Sequence, residues 1–257
     1  MRIIRFSDGT VRYGLLDEDG TIQPLAGPPF AGVAPFGRTV RLADVQLLAP
    51  LEPRAIYGVG LNYVNHAREM HLAPPELPML FMKPPGSAIG PGSPIVLPRE
   101  GGTVHFEAEV AVVIGRIARR VGEQEAPDHI LGYTCGNDVS ERVIQGREMK
   151  QGCLLIGKAF DSFNPLGPSI VTDLDPANIT IVGRVNGEVR QNSNTSDLVY
   201  SIAHLVSYLS QAFTLYPGDV IMTGTPAGVG PITAGDVVEI EIPEVGILRN
   251  HVVSEGT

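Results

Sequence analysis

Tryptophan is absent from the 257 residues of this chain, and cysteine occurs only twice, as Cys135 and Cys153. Two cysteines without a CxxC spacing are too few for a disulfide framework, so we expect both thiols to stay reduced. No stretch approaches the roughly 18 apolar residues of a membrane-spanning helix. Asp8 and Arg12 interrupt the apolar residues near the N-terminus, where a signal peptide needs its apolar core. The sequence therefore predicts a cytoplasmic protein that has no membrane partner.

Positive charge is also scarce. The 28 Asp and Glu residues outnumber the 19 Lys and Arg residues, which gives a formal net charge of −9. A protein that binds a phosphate backbone usually carries a basic stripe, and this sequence shows none, so we expect no nucleic-acid partner. Glycine and proline are abundant instead, with 30 and 22 residues, and apolar runs lie between them. This pattern indicates many short strands that are joined by turns.

The distribution of turns and polar residues predicts two units. Residues 1–50 form a small N-terminal β domain, which begins with a hairpin of Ile3–Phe6 and Val11–Leu16. The proline- and glycine-rich segment 26–38 indicates a surface loop. Residues 51–257 form a larger domain that consists mostly of strands. The predicted fold class is therefore α+β and rich in β structure.

The larger domain contains a few predicted helices. An apolar stripe along Asp197–Phe213 predicts the longest helix, with Thr195 or Ser196 as its cap. Shorter helices are predicted at Asn62–Met70, Ala126–Ile130 and Ser140–Met149. Strands are predicted at Val104–Ile114, Val237–Ile242 and Ile247–Val253.

Acidic residues alternate with apolar residues in the predicted strand at Val104–Ile114. Glu107 and Glu109 share one face of this strand with His105, because side chains alternate across a strand. Two carboxylates this close repel each other, so either one is protonated or a cation lies between them. Ligand sets made only of oxygen favour a hard cation, so the sequence predicts Mg²⁺ or Mn²⁺.

Asp138 is the candidate for a third ligand. It lies between a predicted strand and a predicted helix, a position where functional loops often occur. The sequence leaves an alternative open, in which Glu107 and Glu109 face solvent on an edge strand while Asp138 or Ser140 caps a helix.

His66 and Glu69 are three residues apart in the predicted helix Asn62–Met70. This spacing places them on one helix face, where the carboxylate can orient the imidazole, and such a pair can serve as a general base for water. A solvated polar helix face is the alternative. The HExxH motif of zinc proteases is absent, because Ala67 follows His66.

The glycine-rich segments do not complete a nucleotide-binding motif or the GxSxG motif of serine hydrolases. The segment Thr223–Pro226 instead predicts backbone N–H groups and hydroxyls that bind a small anion. Lys83 and Lys158 have apolar sequence neighbours. Each ammonium group either extends to water or meets an anionic group of a substrate.

Taken in order, these motifs resemble the fumarylacetoacetate hydrolase superfamily, from about Tyr57 to Val253. The resemblance implies a mixed β-roll or sandwich with Mg²⁺ or Mn²⁺ held by Glu107, Glu109 and Asp138. The motifs are Gly60–Tyr63 with His66 and Glu69, Phe81–Pro84, His105–Glu109, Gly136–Ser140, Lys158–Asp161, Leu166–Pro168, Val185–Glu188, Tyr216–Ile221 and Thr223–Gly230.

The same resemblance implies roles for the other candidate residues. His66 and Glu69 would activate water from a short lid helix, and Lys158 would be the active-site lysine. Gln145 and Arg142 fall where relatives contact the substrate or orient water. Lys83 and Thr225 match positions that lie near the substrate carboxylate in relatives. Members of the superfamily are commonly homodimers, and we expect a homodimer here.

The resemblance implies a small-molecule substrate with a 2-oxo acid group. The presence of His66 and Glu69 favours metal-dependent hydrolysis of a carbon–carbon bond in a 2,4-dioxo acid such as an acylpyruvate or fumarylpyruvate. Isomerisation of a 2-hydroxyhepta-2,4-diene-1,7-dioate, or decarboxylation of a related acid or of oxaloacetate, is the alternative. Many relatives carry a tryptophan before the residue that matches Lys158, and this chain has none.

Overall fold

β-Strands form most of the regular structure, as the sequence predicts. The computed structural model describes residues 1–99 and 102–256, so the predicted domain end at Thr257 lies outside the described residues. The α-helices are α1 (Val64–Glu69), α2 (Arg142–Lys150) and α3 (Ile202–Ala212). Short 3-10 helices cover Pro29–Ala31, Leu42–Asp44, Pro85–Ser87, Ala126–His129, Ile156–Lys158 and Thr195–Asp197.

The strands follow one another along the described chain with few helices between them. The first ten are β1 (Arg2–Ser7), β2 (Val11–Leu16), β3 (Thr21–Pro24), β4 (Val40–Arg41), β5 (Gln46–Leu47), β6 (Ile56–Gly60), β7 (Met79–Lys83), β8 (Ala88–Ile89), β9 (Ile95–Leu97) and β10 (Val104–Phe106). The others are β11 (Ala108–Ile114), β12 (Ile130–Asn137), β13 (Ser140–Glu141), β14 (Asn164–Val171), β15 (Thr180–Val185), β16 (Glu188–Asn194), β17 (Val220–Met222), β18 (Gly230–Pro231), β19 (Val237–Ile242) and β20 (Gly246–Ser254).

These strands form three sheets. The largest has the order β4-β3-β2-β1-β14-β12-β11-β17-β6-β7, with β5 paired to β1 and β8 paired to β14. A second sheet has the order β16-β15-β19-β20-β9, and a third has the order β13-β10-β18. Strand β1 pairs with β14, so the first 50 residues extend the largest sheet. Their division from residues 51–257 as a separate domain stays a prediction.

Strand β11 lies inside the largest sheet and buries both of its faces. Val110 and Val112 pack in a large apolar core together with side chains of β15, β19 and α3. Ala111 and Val113 point to the other face and pack in a second core with side chains of β1 and β14. This double burial explains why the second half of the strand is continuously apolar in sequence.

The predicted long strand Val104–Ile114 is wrong in one respect, because the chain leaves one sheet and enters another at Glu107. Strand β10 belongs to the three-stranded sheet, whereas β11 belongs to the largest sheet. Side chains take up the backbone groups at the junction: the Glu107 N–H donates to Asn137 Oδ1 at 3.0 Å, and the Ala108 N–H donates to Gln191 Oε1 at 2.9 Å. The junction therefore keeps its hydrogen bonds while the strand changes direction.

The predicted helix Asp197–Phe213 starts too early. The helix α3 begins at Ile202, and the Ser201 side chain caps it by accepting the His204 N–H at 3.1 Å. The Asn62 side chain holds the preceding residues extended, because its amide bonds both the N–H and the carbonyl of Tyr200. An apolar stripe can predict the helix face, but it cannot predict this distant contact.

The remaining predicted helices and strands are either confirmed or differ from the structure in helix type or in where they begin. The hairpin at the N-terminus and the strand Val237–Ile242 are confirmed, while the helix predicted at Ala126–Ile130 is a 3-10 turn. Helix α2 begins at Arg142 rather than at Ser140, because the Glu141 carboxylate caps it by accepting the Val143 and Ile144 N–H groups. Among the described residues, no helix has the length and apolar character to cross a membrane.

The corrected start of α3 can be tested with two serine substitutions. Ser201→Ala removes the observed cap, and we expect it to lower the free energy of unfolding by about 1 kcal/mol. Ser196→Ala removes a serine from the start that the sequence predicts, and we expect a smaller change. Urea unfolding of both variants measures the difference. A larger loss in Ser196→Ala than in Ser201→Ala would contradict the observed cap.

Candidate active site

Three buried carboxylates meet at the ends of adjacent strands. Glu107, Glu109 and Asp138 each offer an oxygen, and these oxygens lie within 4.8 Å of one another. The strands β11 and β12 are antiparallel, with Ala108 opposite Asn137 and with Glu109 opposite Gly136. This register brings the two glutamates beside the residue that follows β12. The alternation of residues along the strand thus led to the correct cluster.

Three basic side chains contact this acidic cluster. Lys158 Nζ lies 2.8 Å from Glu107 Oε2 and 2.5 Å from Asp138 Oδ2. Arg142 Nη2 lies 2.6 Å from Glu107 Oε1. Lys83 donates to the other oxygen of Asp138. The ion pairs offset the repulsion among the carboxylates and the cost of burying them.

The basic side chains act unequally on the two glutamates. Burial opposes the ionisation of Glu107, but Lys158 and Arg142 outweigh it and lower its pKa. Burial raises the pKa of Glu109 well above its usual value, and the negative charges of Asp138 and Glu107 raise it further. Glu109 accepts the Gly224 N–H at 2.8 Å. Of the two glutamates, Glu109 is therefore the one that holds a proton more readily when no cation is bound.

These residues fit a divalent cation. The three carboxylates converge, they are buried, and a cation between them would offset the charge that raises the pKa of Glu109. Carboxylate oxygens are the ligands that Mg²⁺ and Mn²⁺ prefer. The alternative with a solvated edge strand is wrong, because both glutamates are buried and Glu141, not Asp138 or Ser140, caps α2.

Lys83 is buried beside Asp138. Its ammonium contacts Asp138 and the Val139 carbonyl oxygen, and the residue is not in the cavity wall described below. Burial lowers the pKa of Lys83, although Asp138 acts in the opposite direction. In this structure Lys83 therefore holds a carboxylate of the acidic cluster in place.

His66 and Glu69 form the predicted pair on α1. His66 Nδ1 lies 3.0 Å from Glu69 Oε2, and the second oxygen of Glu69 accepts the Gly228 N–H at 3.0 Å. His66 is buried and lines the cavity, so the alternative of a solvated helix face is wrong for this residue. Because Glu69 binds Nδ1, the other ring nitrogen is left for contacts with a substrate or water.

Helix α2 and the turn after it present three more of the predicted residues. Arg142 and Gln145 are one turn apart on α2, and Arg142 Nη1 donates to Gln145 Oε1 at 2.8 Å. Lys158 ends the 3-10 turn that follows, and its ammonium lies 4.9 Å from the centre of the Phe81 ring. A Cβ atom at Gly157 would lie 2.7 Å from the Gln145 nitrogen, so only glycine permits this close approach.

Glu148 was missed by the sequence analysis. Its carboxylate accepts three successive backbone N–H groups, from Leu155 at 3.2 Å, Ile156 at 2.7 Å and Gly157 at 3.0 Å. These bonds tie the turn that carries Lys158 to the last turn of α2. The sequence gives no sign of this contact. Its partners are backbone N–H groups that follow a loop after α2, and the shape of that loop cannot be predicted from the sequence.

The segment Thr223–Pro226 lies beside the acidic cluster, but its groups have other partners than the predicted anion. The Gly224 N–H donates to Glu109, and the Thr225 hydroxyl accepts a hydrogen bond from Gln191 at 2.8 Å. Gly224 has a φ of +102°, and a Cβ atom there would lie 2.8 Å from Asn62 Cβ. The anion prediction is therefore wrong for the Gly224 N–H, while Thr225 still faces the cavity.

His105 also faces the cavity, as the alternation along the strand predicts. Burial and the neighbouring Arg142 lower the pKa of His105 to about 4, although Glu107 acts in the opposite direction. The imidazole is therefore neutral near pH 7. Its Nδ1 is buried and has no hydrogen-bond partner among the described residues.

One cavity of about 320 Å³ collects nearly all of these groups. Eight of the ten predicted site residues line it, whereas Glu69 contacts His66 and Lys83 contacts Asp138 without lining the cavity. The rest of the wall is mostly apolar. The polar lining consists of His66, His105, Glu107, Glu109, Asp138, Arg142, Gln145, Lys158 and Thr225. A buried acidic cluster with a nearby His–Glu pair is the kind of site that positions a chelating substrate next to a base.

Two family models match the sequence. Residues 55–253 match the model described as fumarylacetoacetate (FAA) hydrolase C-terminal, and residues 1–50 match the model described as Rv2993c-like, N-terminal. Among curated proteins, the mitochondrial oxaloacetate tautomerase of Xenopus laevis is 44% identical over 82% of this chain and 69% of its own length.

Solved structures share the whole fold. A 5-carboxymethyl-2-hydroxymuconate delta-isomerase from Mycobacterium smegmatis is 45% identical, with a TM-score of 0.91 over 99% of this chain and 100% of its own. A maleylpyruvate hydrolase from Sphingobium sp. SYK-6, solved with manganese(II) and pyruvate, is 32% identical, with a TM-score of 0.80 over 99% of each chain. The resemblance inferred from the motifs is thus confirmed in sequence and in structure.

The role of Glu148 predicts a pH-dependent loss of stability. Burial opposes the ionisation of Glu148, but the three N–H groups outweigh it and lower the pKa. The stabilisation is therefore complete above the usual glutamate pKa of about 4.3, and it disappears as the pH falls through the lower value in the folded state. We expect Glu148→Gln to lower the free energy of unfolding by about 1 kcal/mol at pH 7 and by less at pH 3.

Urea unfolding at the two pH values measures this effect. Glu76→Gln, on an exposed loop, is the matched control, and it should change stability little at either pH. An equal loss at pH 7 and pH 3 in Glu148→Gln would show that the charge of Glu148 does not hold the turn.

Proposed function

Because the chain belongs to the fumarylacetoacetate hydrolase family of enzymes, we propose that it hydrolyses a carbon–carbon bond in a 2,4-dioxo acid of the acylpyruvate type, with Mg²⁺ or Mn²⁺ as its cofactor. The observation that carries this proposal is that the His66–Glu69 pair and the acidic cluster face one cavity. Hydrolysis needs a base for water beside the group that holds the substrate, and this cavity supplies both. The related maleylpyruvate hydrolase, solved with manganese(II) and pyruvate, supports the same assignment.

The acidic cluster defines the end of the cavity that receives the 2-oxo acid. Glu107, Glu109 and Asp138 would hold the cation, which when bound supplies Lewis-acid polarisation of the 2-oxo group. Arg142 and Thr225 line the same cavity and can donate hydrogen bonds to the substrate carboxylate. When this end of the substrate is fixed, the C4 carbonyl would lie beside the other polar groups of the wall.

His66 would take a proton from the attacking water. The Glu69 carboxylate on Nδ1 fixes the ring and stabilises the imidazolium that forms. The water oxygen bonds to C4, and the C4 oxygen becomes an oxyanion. Lys158 and Gln145 line the cavity and are the donors for that oxygen.

Collapse of the oxyanion breaks the bond between C3 and C4. The electron pair passes to C3 and is delocalised into the 2-oxo group. The imidazolium of His66 then returns its proton to C3, so the reaction consumes one water and yields pyruvate and the carboxylic acid of the acyl group. Each proton taken up by His66 is released again, and the base is ready for another cycle.

This proposal is tested with purified protein and acetylpyruvate. We expect turnover that requires Mg²⁺ or Mn²⁺ and that stops with a chelator. We expect His66→Ala to lower kcat by about 100-fold or more, because it removes the general base. The control is His251→Ala, because His251 is exposed on β20 and is not part of the cavity wall. Turnover without metal, or an unimpaired His66→Ala variant, would contradict the proposal.

A second candidate is proton transfer without bond cleavage, as in keto–enol tautomerisation of oxaloacetate or isomerisation of a 2-hydroxy-dienedioate. The names of two relatives favour it, the oxaloacetate tautomerase and the delta-isomerase. The His66 base suits this reaction as well, since tautomerisation of oxaloacetate also transfers a proton at C3 and isomerisation of the dienedioate transfers one along the same conjugated chain.

Product analysis separates the candidates. If hydrolysis is the reaction, chromatography shows two new acids for each 2,4-dioxo acid consumed. A change in ultraviolet absorbance with no new acid would instead support tautomerisation or isomerisation, and release of CO₂ would support decarboxylation. Each of these two results, obtained without cleavage of any 2,4-dioxo acid, would overturn the first proposal.

A further inference from the structure

The cavity has a charged, buried inner end and an apolar, half-exposed mouth. Glu107, Glu109 and Asp138 are at most 4% exposed and mark the inner end. Around the mouth, Met70 is 51% exposed and Leu72 is 48% exposed. The apolar wall consists of Val59, Leu61, Met70, Leu72, Met79, Phe81, Met149, Leu154 and Val229. A substrate that binds the acidic cluster by one end therefore extends its other end along apolar side chains.

The charged residues of the wall all lie at the inner end of the cavity. The two permanently cationic side chains in the described wall are Arg142 and Lys158, and both contact carboxylates of the acidic cluster. At the mouth, the side chains come from the end of α1 (Met70 and Leu72) and from the end of α2 (Met149), and none of them carries a charge. A carboxylate at the far end of a substrate would find no cation among the described side chains that line this part of the wall.

An apolar group suits the mouth better than a charged one for two reasons. It covers methionine and leucine surface that water otherwise contacts, and burial of each methylene contributes about 0.8 kcal/mol, which is about fourfold in affinity. A carboxylate gains no ion pair there and loses part of its hydration. Methionine side chains are flexible, so Met70 and Met149 can adapt to alkyl or aryl groups of different shape.

We propose that the group distal to the 2-oxo acid is an uncharged alkyl or aryl group. This inference rests on the proposed function and narrows it to acylpyruvates with apolar acyl groups, rather than diacids such as fumarylpyruvate. The observation that carries it is that the exposed and half-exposed lining residues Met70, Leu72, Met149 and Leu154 are all uncharged. The mouth of the cavity would select the distal group of the substrate, while the reaction at the inner end stays the same.

Two matched pairs of compounds test the proposal. Butanoylpyruvate and succinylpyruvate differ only by a terminal methyl in place of a carboxylate, and we expect kcat/KM to be at least tenfold higher for butanoylpyruvate. A second pair, which cannot be cleaved, is 2-oxohexanoate and 2-oxoadipate; each lacks the C4 carbonyl and is one carbon shorter than the acylpyruvates, and the two differ only by a terminal methyl in place of a carboxylate. Calorimetric titration in the presence of Mg²⁺ should show at least tenfold tighter binding of 2-oxohexanoate.

A charge introduced at the mouth should change this preference. In Met149→Lys, we expect the ratio of kcat/KM for succinylpyruvate over butanoylpyruvate to rise at least tenfold, because the new ammonium can pair with the distal carboxylate. Leu155→Lys is the matched control, since both side chains are 47% exposed but Leu155 is outside the cavity wall. The control should leave the ratio within about twofold. An equal change in both variants would overturn the role assigned to the mouth.

The outcomes separate this inference from the proposed function. Cleavage of both acylpyruvates with a preference for the diacid would overturn the apolar distal group and leave hydrolysis intact. Tighter binding of 2-oxohexanoate without any cleavage would support the apolar distal group and contradict hydrolysis. Failure to bind or turn over any of the four acids would overturn both.

Discussion

The mutual repulsion of three buried carboxylates is the constraint on which this site depends. Glu107, Glu109 and Asp138 lie this close in the protein interior only if positive charge is nearby or one of the carboxylates is protonated. Lys83, Lys158 and Arg142 supply positive charge, but they contact Glu107 and Asp138 and not Glu109. Glu109 is therefore the carboxylate whose charge a divalent cation would offset most. The basic side chains are part of the structure of the cluster as well as candidates for contact with a substrate.

The fold brings these groups together by a change of sheet at Glu107. The antiparallel pairing of β11 and β12 places Asp138 beside the two glutamates, and the side chains of Asn137 and Gln191 take up the backbone N–H groups at the junction. Separate segments then close over the cluster: α1 brings His66, and α2 with the turn after it brings Arg142 and Lys158. Because each segment ends at the same cavity, a base and a chelating site can act on one substrate.

The sequence predicted the parts of this arrangement that depend on local periodicity or on ordered motifs. Alternation along one strand placed Glu107 and Glu109 together, and the spacing of His66 and Glu69 placed them on one helix face. The sequence did not predict contacts between distant segments. The hydrogen bond between Asn62 and Tyr200 keeps the residues before α3 extended, so the helix begins later than predicted. The hydrogen bonds of Glu148 to the turn that ends at Lys158 depend on a loop shape that no local pattern specifies. The ion pair of Lys83 with Asp138 is a contact of the same kind.

The account depends most directly on the binding of a divalent cation by the acidic cluster. Calorimetric titration of the metal-free protein with Mn²⁺ measures it, and Glu109→Gln is the informative variant because it keeps the shape of the side chain. We predict one saturable Mn²⁺ site per chain in the wild type and at least 100-fold weaker binding in Glu109→Gln, with unchanged circular dichroism. Absence of saturable binding in the wild type, or equal affinity in a folded Glu109→Gln variant, would contradict the account.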